Sequence, residues 1–229
     1  SLYLGPQEYS NIKEIQVQDT QKFRYAINLF DRFPGLEKLS FHIFEELNDA
    51  IRIRNTNLRS LQIKGYNRIN NLYLGLNTQL LLGLFIINFN IKLITEEEIF
   101  THNLRYLDLI DCNCSESRVM KSLDRIFPKI HILKLVNVIF SPGVSIMKFI
   151  SEDKFKNVRE LHLENLAVHI PNLLTNIGKM PKLEKLTIIG NKFENIIFKT
   201  KTTREKIMFD LLQKKNSFTM EEVENELSK

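Results

Sequence analysis

Eight copies of one short apolar pattern predict an α/β fold organised around a parallel sheet of about eight strands. Three observations carry that expectation. The pattern apolar, x, x, apolar, x, apolar recurs at intervals of 22 to 28 residues. Inside each copy the apolar residues alternate with period two, as in a strand with one buried face. The stretches between copies are long enough for the crossover that joins parallel strands, and several carry helical spacing.

Taken in chain order, the copies are "IKEIQV" from Ile12, "LEKLSF" from Leu36, "LRSLQI" from Leu58 and "LLGLFI" from Leu81. They continue with "LRYLDL" from Leu104, "IHILKL" from Ile130, "VRELHL" from Val158 and "LEKLTI" from Leu183. In each unit the fourth and sixth residues are expected to face a core, and the third, fifth and seventh to face outward. Between copies, "TQKFRYAINLFDRF" sets Phe23, Ile27 and Phe30 on one helical face behind Thr20, a good N-cap residue. "SESRVMKSLDRIF" repeats the spacing with Val119, Leu123 and Ile126. In "IPNLLTNIGKM", Pro171 stands where a first helical turn tolerates proline, with Leu174 and Ile177 inward.

This ladder over about residues 10 to 200 resembles the leucine-rich repeat family, whose signature is L-x-x-L-x-L-x-x-N/C with a period in the twenties. The resemblance implies a solenoid with its strands on a concave face and its helices on the convex side. The ninth position, Asn or Cys in the family, is here Thr20, Phe44, Tyr66, Phe89, Cys112, Val138, Leu166 and Asn191, so only Cys112 and Asn191 conform. Irregular curvature is the consequence. The phrases "RFPGLEKL", "IFPKIHIL" and "KMPKLEKL" place a proline just before a strand, similar to the helix-backed repeats of F-box and ribonuclease-inhibitor-like proteins. That likeness implies the target-selecting part of a ubiquitin ligase receptor, with an adaptor subunit as partner only if an F-box lies upstream of Ser1.

After Asn191 the pattern stops. "TTREKIMFDLLQKK" is expected to be a helix with Ile207, Leu211 and Leu212 inward, and "TMEEVENELSK" opens with Thr219 and Glu222 in capping-box spacing. A solenoid needs its open end covered, so residues 1–200 are assigned to the repeats and 201–229 to a helical cap. "LLQKKNSFTMEEVENELS" also loosely resembles a helix-turn-helix segment.

The chemistry-bearing residues exclude more than they suggest. There is no phosphate-binding glycine loop, nucleophile motif or zinc-ligand spacing, and His42, His102, His131, His162 and His169 do not pair at metal-ligating intervals. Neither a cofactor nor a catalytic function is expected. Cys112 and Cys114 are too close along one strand to pair with each other, which fits a reducing, intracellular setting, cytoplasmic or nuclear. The longest apolar run, Leu80 to Phe89, is about half of a membrane span. A net charge of +5 is interleaved with acids along the chain, leaving a nucleic-acid-binding solenoid as the alternative reading.

The outward positions carry the functional expectation. They are polar in the first three strands and turn apolar in the middle three, where Phe85, Ile87, Tyr106, Ile110, Ile132 and Val136 converge, before polarity largely returns. Asp108, Lys134 and His162 share one outward row on three successive strands and are expected to form cross-strand ion pairs. A contiguous apolar face of this kind marks an interaction site. Expected here is a protein or peptide ligand, with Phe85 and Tyr106 as anchors and Asp108 and Lys134 as orienting charges; a scaffold subunit without a ubiquitin role uses the same surface.

Overall fold

The structure is a computed structural model that describes residues 11–18, 33–44, 51–53, 57–66, 70–76, 78–94, 103–140, 152–166, 170–177, 180–190 and 202–229. The helix expected around Thr20, Phe23, Ile27 and Phe30 lies outside the described residues, as do Asn191, His102 and His169.

Eight strands run parallel in one sheet: β1 (Glu14–Val17), β2 (Lys38–Ile43), β4 (Ser60–Gly65), β6 (Gly83–Ile87), β8 (Tyr106–Ile110), β10 (Ile132–Val136), β12 (Glu160–Glu164) and β13 (Lys185–Ile189). Every expected strand is present, and each pairs with the strand of the next unit. The register holds throughout: Leu39, Leu61, Leu84, Leu107, Leu133, Leu161 and Leu186 are direct neighbours across seven strands. All seven are buried, as are the sixth-position residues from Phe41 to Ile188. A slip of one residue in any strand would turn its leucines to the solvent face, so the alternation itself sets the register.

Several connections differ from the expectation of helices backing the sheet. Five short strands, β3 (Ile51–Ile53), β5 (Asn71–Leu76), β7 (Asn90–Ile94), β9 (Asn113–Cys114) and β11 (Ile139–Phe140), form a second parallel sheet in the order β11-β9-β7-β5-β3. The physical reason is local. "NLYLGL" alternates with period two and buries Leu72, Leu74 and Leu76 while Tyr73 points out, a strand pattern that no helix would satisfy. Helices are described at α1 (Ser117–Ile126), α2 (Glu152–Phe155) and α3 (Ile170–Ile177). Val119, Leu123 and Ile126 of α1 and Leu174 and Ile177 of α3 are buried as their spacing predicted. One continuous core joins the first sheet to the second sheet and to these helices.

The corner between the two sheets is made by the eighth position of the repeat. Asn88, Asp111, Asn137, Asn165 and Gly190 have φ between 50° and 73° in five successive units. This left-handed conformation is one that Gly, Asn and Asp adopt far more readily than other residues. Each corner locks onto the next: the amides of Asn88, Asp111, Asn137 and Asn165 donate to the carbonyls of Ile110, Val136, Glu164 and Ile189 at 2.8–2.9 Å. Asn137 Nδ2 also donates to Asp111 Oδ1 at 2.9 Å. A second set of asparagines precedes the strands. Asn103 and Asn157 donate to the carbonyls of Gln79 and Pro128 in the preceding unit, at 2.6 and 2.7 Å. Turn polarity is thus satisfied at the eighth position and before the strands, while the ninth position supplies apolar filling: Phe89, Cys112, Val138 and Leu166 are buried.

At the end of the chain, α4 (Thr203–Lys215) and α5 (Met220–Leu227) flank a strand, β14 (Ser217–Thr219), that pairs antiparallel with β13. The two expected helices are present, joined by a strand that was not expected, and the helix-turn-helix likeness is corrected here. Asn216 ends α4 in a left-handed conformation and Phe218 enters the core, so the link is a ladder strand rather than a turn. The apolar inward residues of α4 are Met208, Phe209 and Leu212, with Ile207 and Leu211 only partly buried. Thr219 and Glu222 form the expected capping box.

Candidate functional site

On the outward face of the first sheet, the register assembles the expected residues into three rows. Gly83, Tyr106 and Ile132 are neighbours in the first row. Phe85, Asp108, Lys134 and His162 make the second, and Ile87, Ile110, Val136 and Glu164 the third. The charged middle row therefore runs between two largely apolar ones. This arrangement follows from period-two alternation in strands of identical register.

The apolar side chains lean on one another. Gly83 has no side chain, and the ring of Phe85 lies over its backbone: a Cβ there would sit 2.9 Å from Phe85 Cε2 and 3.8 Å from Tyr106 Cβ. Phe85, Ile87, Ile110 and Ile132 are consequently half-buried, and Tyr106 is 42% exposed. Val136 is 8% exposed and stands apart from the main core, so it forms a buried wall of the patch rather than contact area.

Burial raises the Asp108 carboxyl pKa from its ordinary value, and the positive charges of Lys134 and His162 oppose that rise without cancelling it. An aspartate flanked by Phe85, Tyr106 and Ile110 has lost much of its water, which disfavours the ionised form. The charged row differs from expectation at its far end. His162 Nε2 lies 3.1 Å from Glu164 Oε2 on its own strand, so its close partner is intrastrand.

The strand-entry edge carries Arg105, His131 and Arg159 on three successive units. The His131 imidazole has its pKa lowered by burial first, then by the cations Arg105, Arg159 and Lys182. Arg159 is drawn toward Glu184, Nη1 to Oε1 at 3.3 Å.

Two cavities open elsewhere. One, of about 470 Å³, lies between the starts of β12 and β13 and the N-terminal end of α5. The other, of about 260 Å³, lies at the exits of β2 and β4. The Phe85–Tyr106 patch borders neither of these two. Among the described residues no three His, Cys, Asp or Glu side chains gather in metal-ligating geometry. No helix among them is long and apolar enough to cross a membrane. Cys112 and Cys114 are buried, and Cys112 Sγ donates to the carbonyls of Ile110 and Ile86.

The corner residues escaped the sequence reading, and Gly83 was legible as an outward position but not as the seat of the Phe85 ring. The corners were legible one place earlier than the expected asparagine ladder, in the series Gly65, Asn88, Asp111, Asn137, Asn165 and Gly190. No protein-family model matches this chain, and no curated protein matches it.

Proposed function

We propose that the chain is a leucine-rich repeat solenoid acting as a non-enzymatic interaction module, binding a protein or peptide ligand on the outward face of β6, β8 and β10. The observation that supports it is the block of Phe85, Ile87, Tyr106, Ile110 and Ile132 in register on a face that is polar on both flanks. Apolar area left at the surface costs free energy until another surface covers it, and aromatic residues are the commonest anchors when one does. Asp108 and Lys134 inside the block orient the ligand, because a partner that fails to satisfy them leaves polar groups buried. The same surface serves a scaffold subunit or the target-selecting part of a ligase receptor.

Capture from nuclease-treated lysate on immobilised wild type and Phe85→Ala tests this reading. A protein band retained at high salt by wild type and lost from Phe85→Ala supports it. Equal capture by both proteins counts against it.

A further inference from the structure

The ninth position of the repeat fills the core in four successive units, through Phe89, Cys112, Val138 and Leu166. In the two units before them it does the opposite. Phe44 is 56% exposed and Tyr66 is 72% exposed, and their ring centroids are 6.4 Å apart at an interplanar angle of 48°. Both aromatics stand at the rim of the 260 Å³ cavity, which His42 and Lys64 also line. His42 and Lys64 are direct cross-strand neighbours, as are Ile43 and Gly65 behind them.

The cavity floor is backbone. Gly65 packs so closely on the next corner that a Cβ would sit 2.5 Å from the Asn88 carbonyl oxygen, and Asn88 Nδ2 donates back to the Gly65 carbonyl at 3.3 Å. The rings therefore project from a fixed support. Two open aromatic faces beside an exposed lysine and an imidazole, with no carboxylate among the described lining residues, suit a planar ring that carries a negative charge.

We propose that this rim binds an unpaired nucleotide of a single-stranded nucleic acid, the base stacking on Tyr66 with the tilted Phe44 ring against its edge, and the phosphate held by Lys64 and His42. Stacking on aromatic side chains beside a cationic track is how unpaired bases are held without sequence preference. The cation count fits a phosphodiester. A phosphate monoester, with nearly twice the charge and three acceptor oxygens, is matched by paired arginine forks, and there is none among the described lining residues. The overall charge of +5 favours approach of such a strand.

The test is fluorescence anisotropy of a labelled oligothymidylate of about ten nucleotides, titrated with the full chain at several salt concentrations. Wild type is compared with Tyr66→Ala, Phe44→Ala, Lys64→Ala and two controls, Phe85→Ala and Lys185→Ala, each checked for an unchanged unfolding midpoint. Tyr66→Ala should weaken binding at least about tenfold, the lower part of the stacking range. Lys64→Ala should make the log–log salt slope shallower by about 0.7, one phosphate contact on a single strand. The controls should bind as wild type, which separates this site from the Phe85 surface. The proposal is overturned by an affinity weaker than about 100 μM, the upper end of non-specific binding, by insensitivity to Tyr66→Ala, or by a duplex binding as well as the single strand. A phosphotyrosine peptide that binds through Tyr66 where the oligonucleotide does not would likewise reassign the rim to a phosphopeptide.

Discussion

The side-chain oxygen of Asn165 occupies the space where a Cβ on Gly190 would be, 1.7 Å away. The last described corner of the repeat series is thus closed by an asparagine of one unit lying against the bare backbone of the next. Gly190 also has φ +73°. Gly190→Ala should destabilise the chain by about 1–2 kcal/mol for the left-handed backbone alone, and by more because Asn165 must move. Asn137→Gly keeps the backbone conformation and loses one side-chain hydrogen bond, about 1 kcal/mol. Urea denaturation of the two variants should rank them in that order.

The buried thiols give a second prediction. Burial pushes the Cys114 thiol pKa well up, with the neighbouring Cys112 adding to the shift. A thiol held protonated and away from solvent is a poor nucleophile. Neither cysteine should react with a disulfide reagent in the folded chain, and both should react once urea unfolds it. Rapid labelling of the native protein at neutral pH would show that the Cys112–Cys114 segment is misplaced.

A third concerns Asp108. Its folded pKa is raised, so the ionised form is disfavoured in the native state, and the penalty is absent below the unfolded pKa and grows as pH rises through the folded one. Asp108→Asn should therefore match wild type in stability below the ordinary aspartate range, about pH 3.5, and exceed it once the pH has risen past the raised folded pKa. Lys134→Ala removes an opposing charge and should raise the Asp108 pKa further, readable by NMR titration of the carboxyl. A downward shift in Lys134→Ala would contradict this electrostatic picture.

Much of the fold was legible because one period repeats a strand whose alternation admits a single register. Leu107, Leu133 and Leu161 could be named as core from spacing alone, and they pair directly. The second sheet was not foreseen. Its strands are two to six residues long, and a short alternating segment such as "NIKLI" has too little length to outweigh the prior for a helical crossover. The candidate surface was legible as a set of outward positions. Its depth was not, because the covering of Gly83 by Phe85 and the burial of Val136 depend on side-chain directions that spacing does not encode.

Tyr106 and Leu107 are adjacent on one strand and face opposite ways, Tyr106 outward at 42% exposure and Leu107 fully buried. Under the proposed function, binding falls to Tyr106 and folding to Leu107. Leu107→Ala should cost roughly 2–5 kcal/mol, as should Leu161→Ala, because each empties part of a packed rung that cannot collapse. Tyr106→Ala should leave the urea midpoint close to wild type. The most direct measurement is the affinity of Tyr106→Ala for a protein ligand captured by wild type, made at matched stability. A loss of about 2 kcal/mol or more, the hot-spot scale, is the predicted result, and an unchanged affinity with an unchanged midpoint would contradict the assignment of this face as the binding surface.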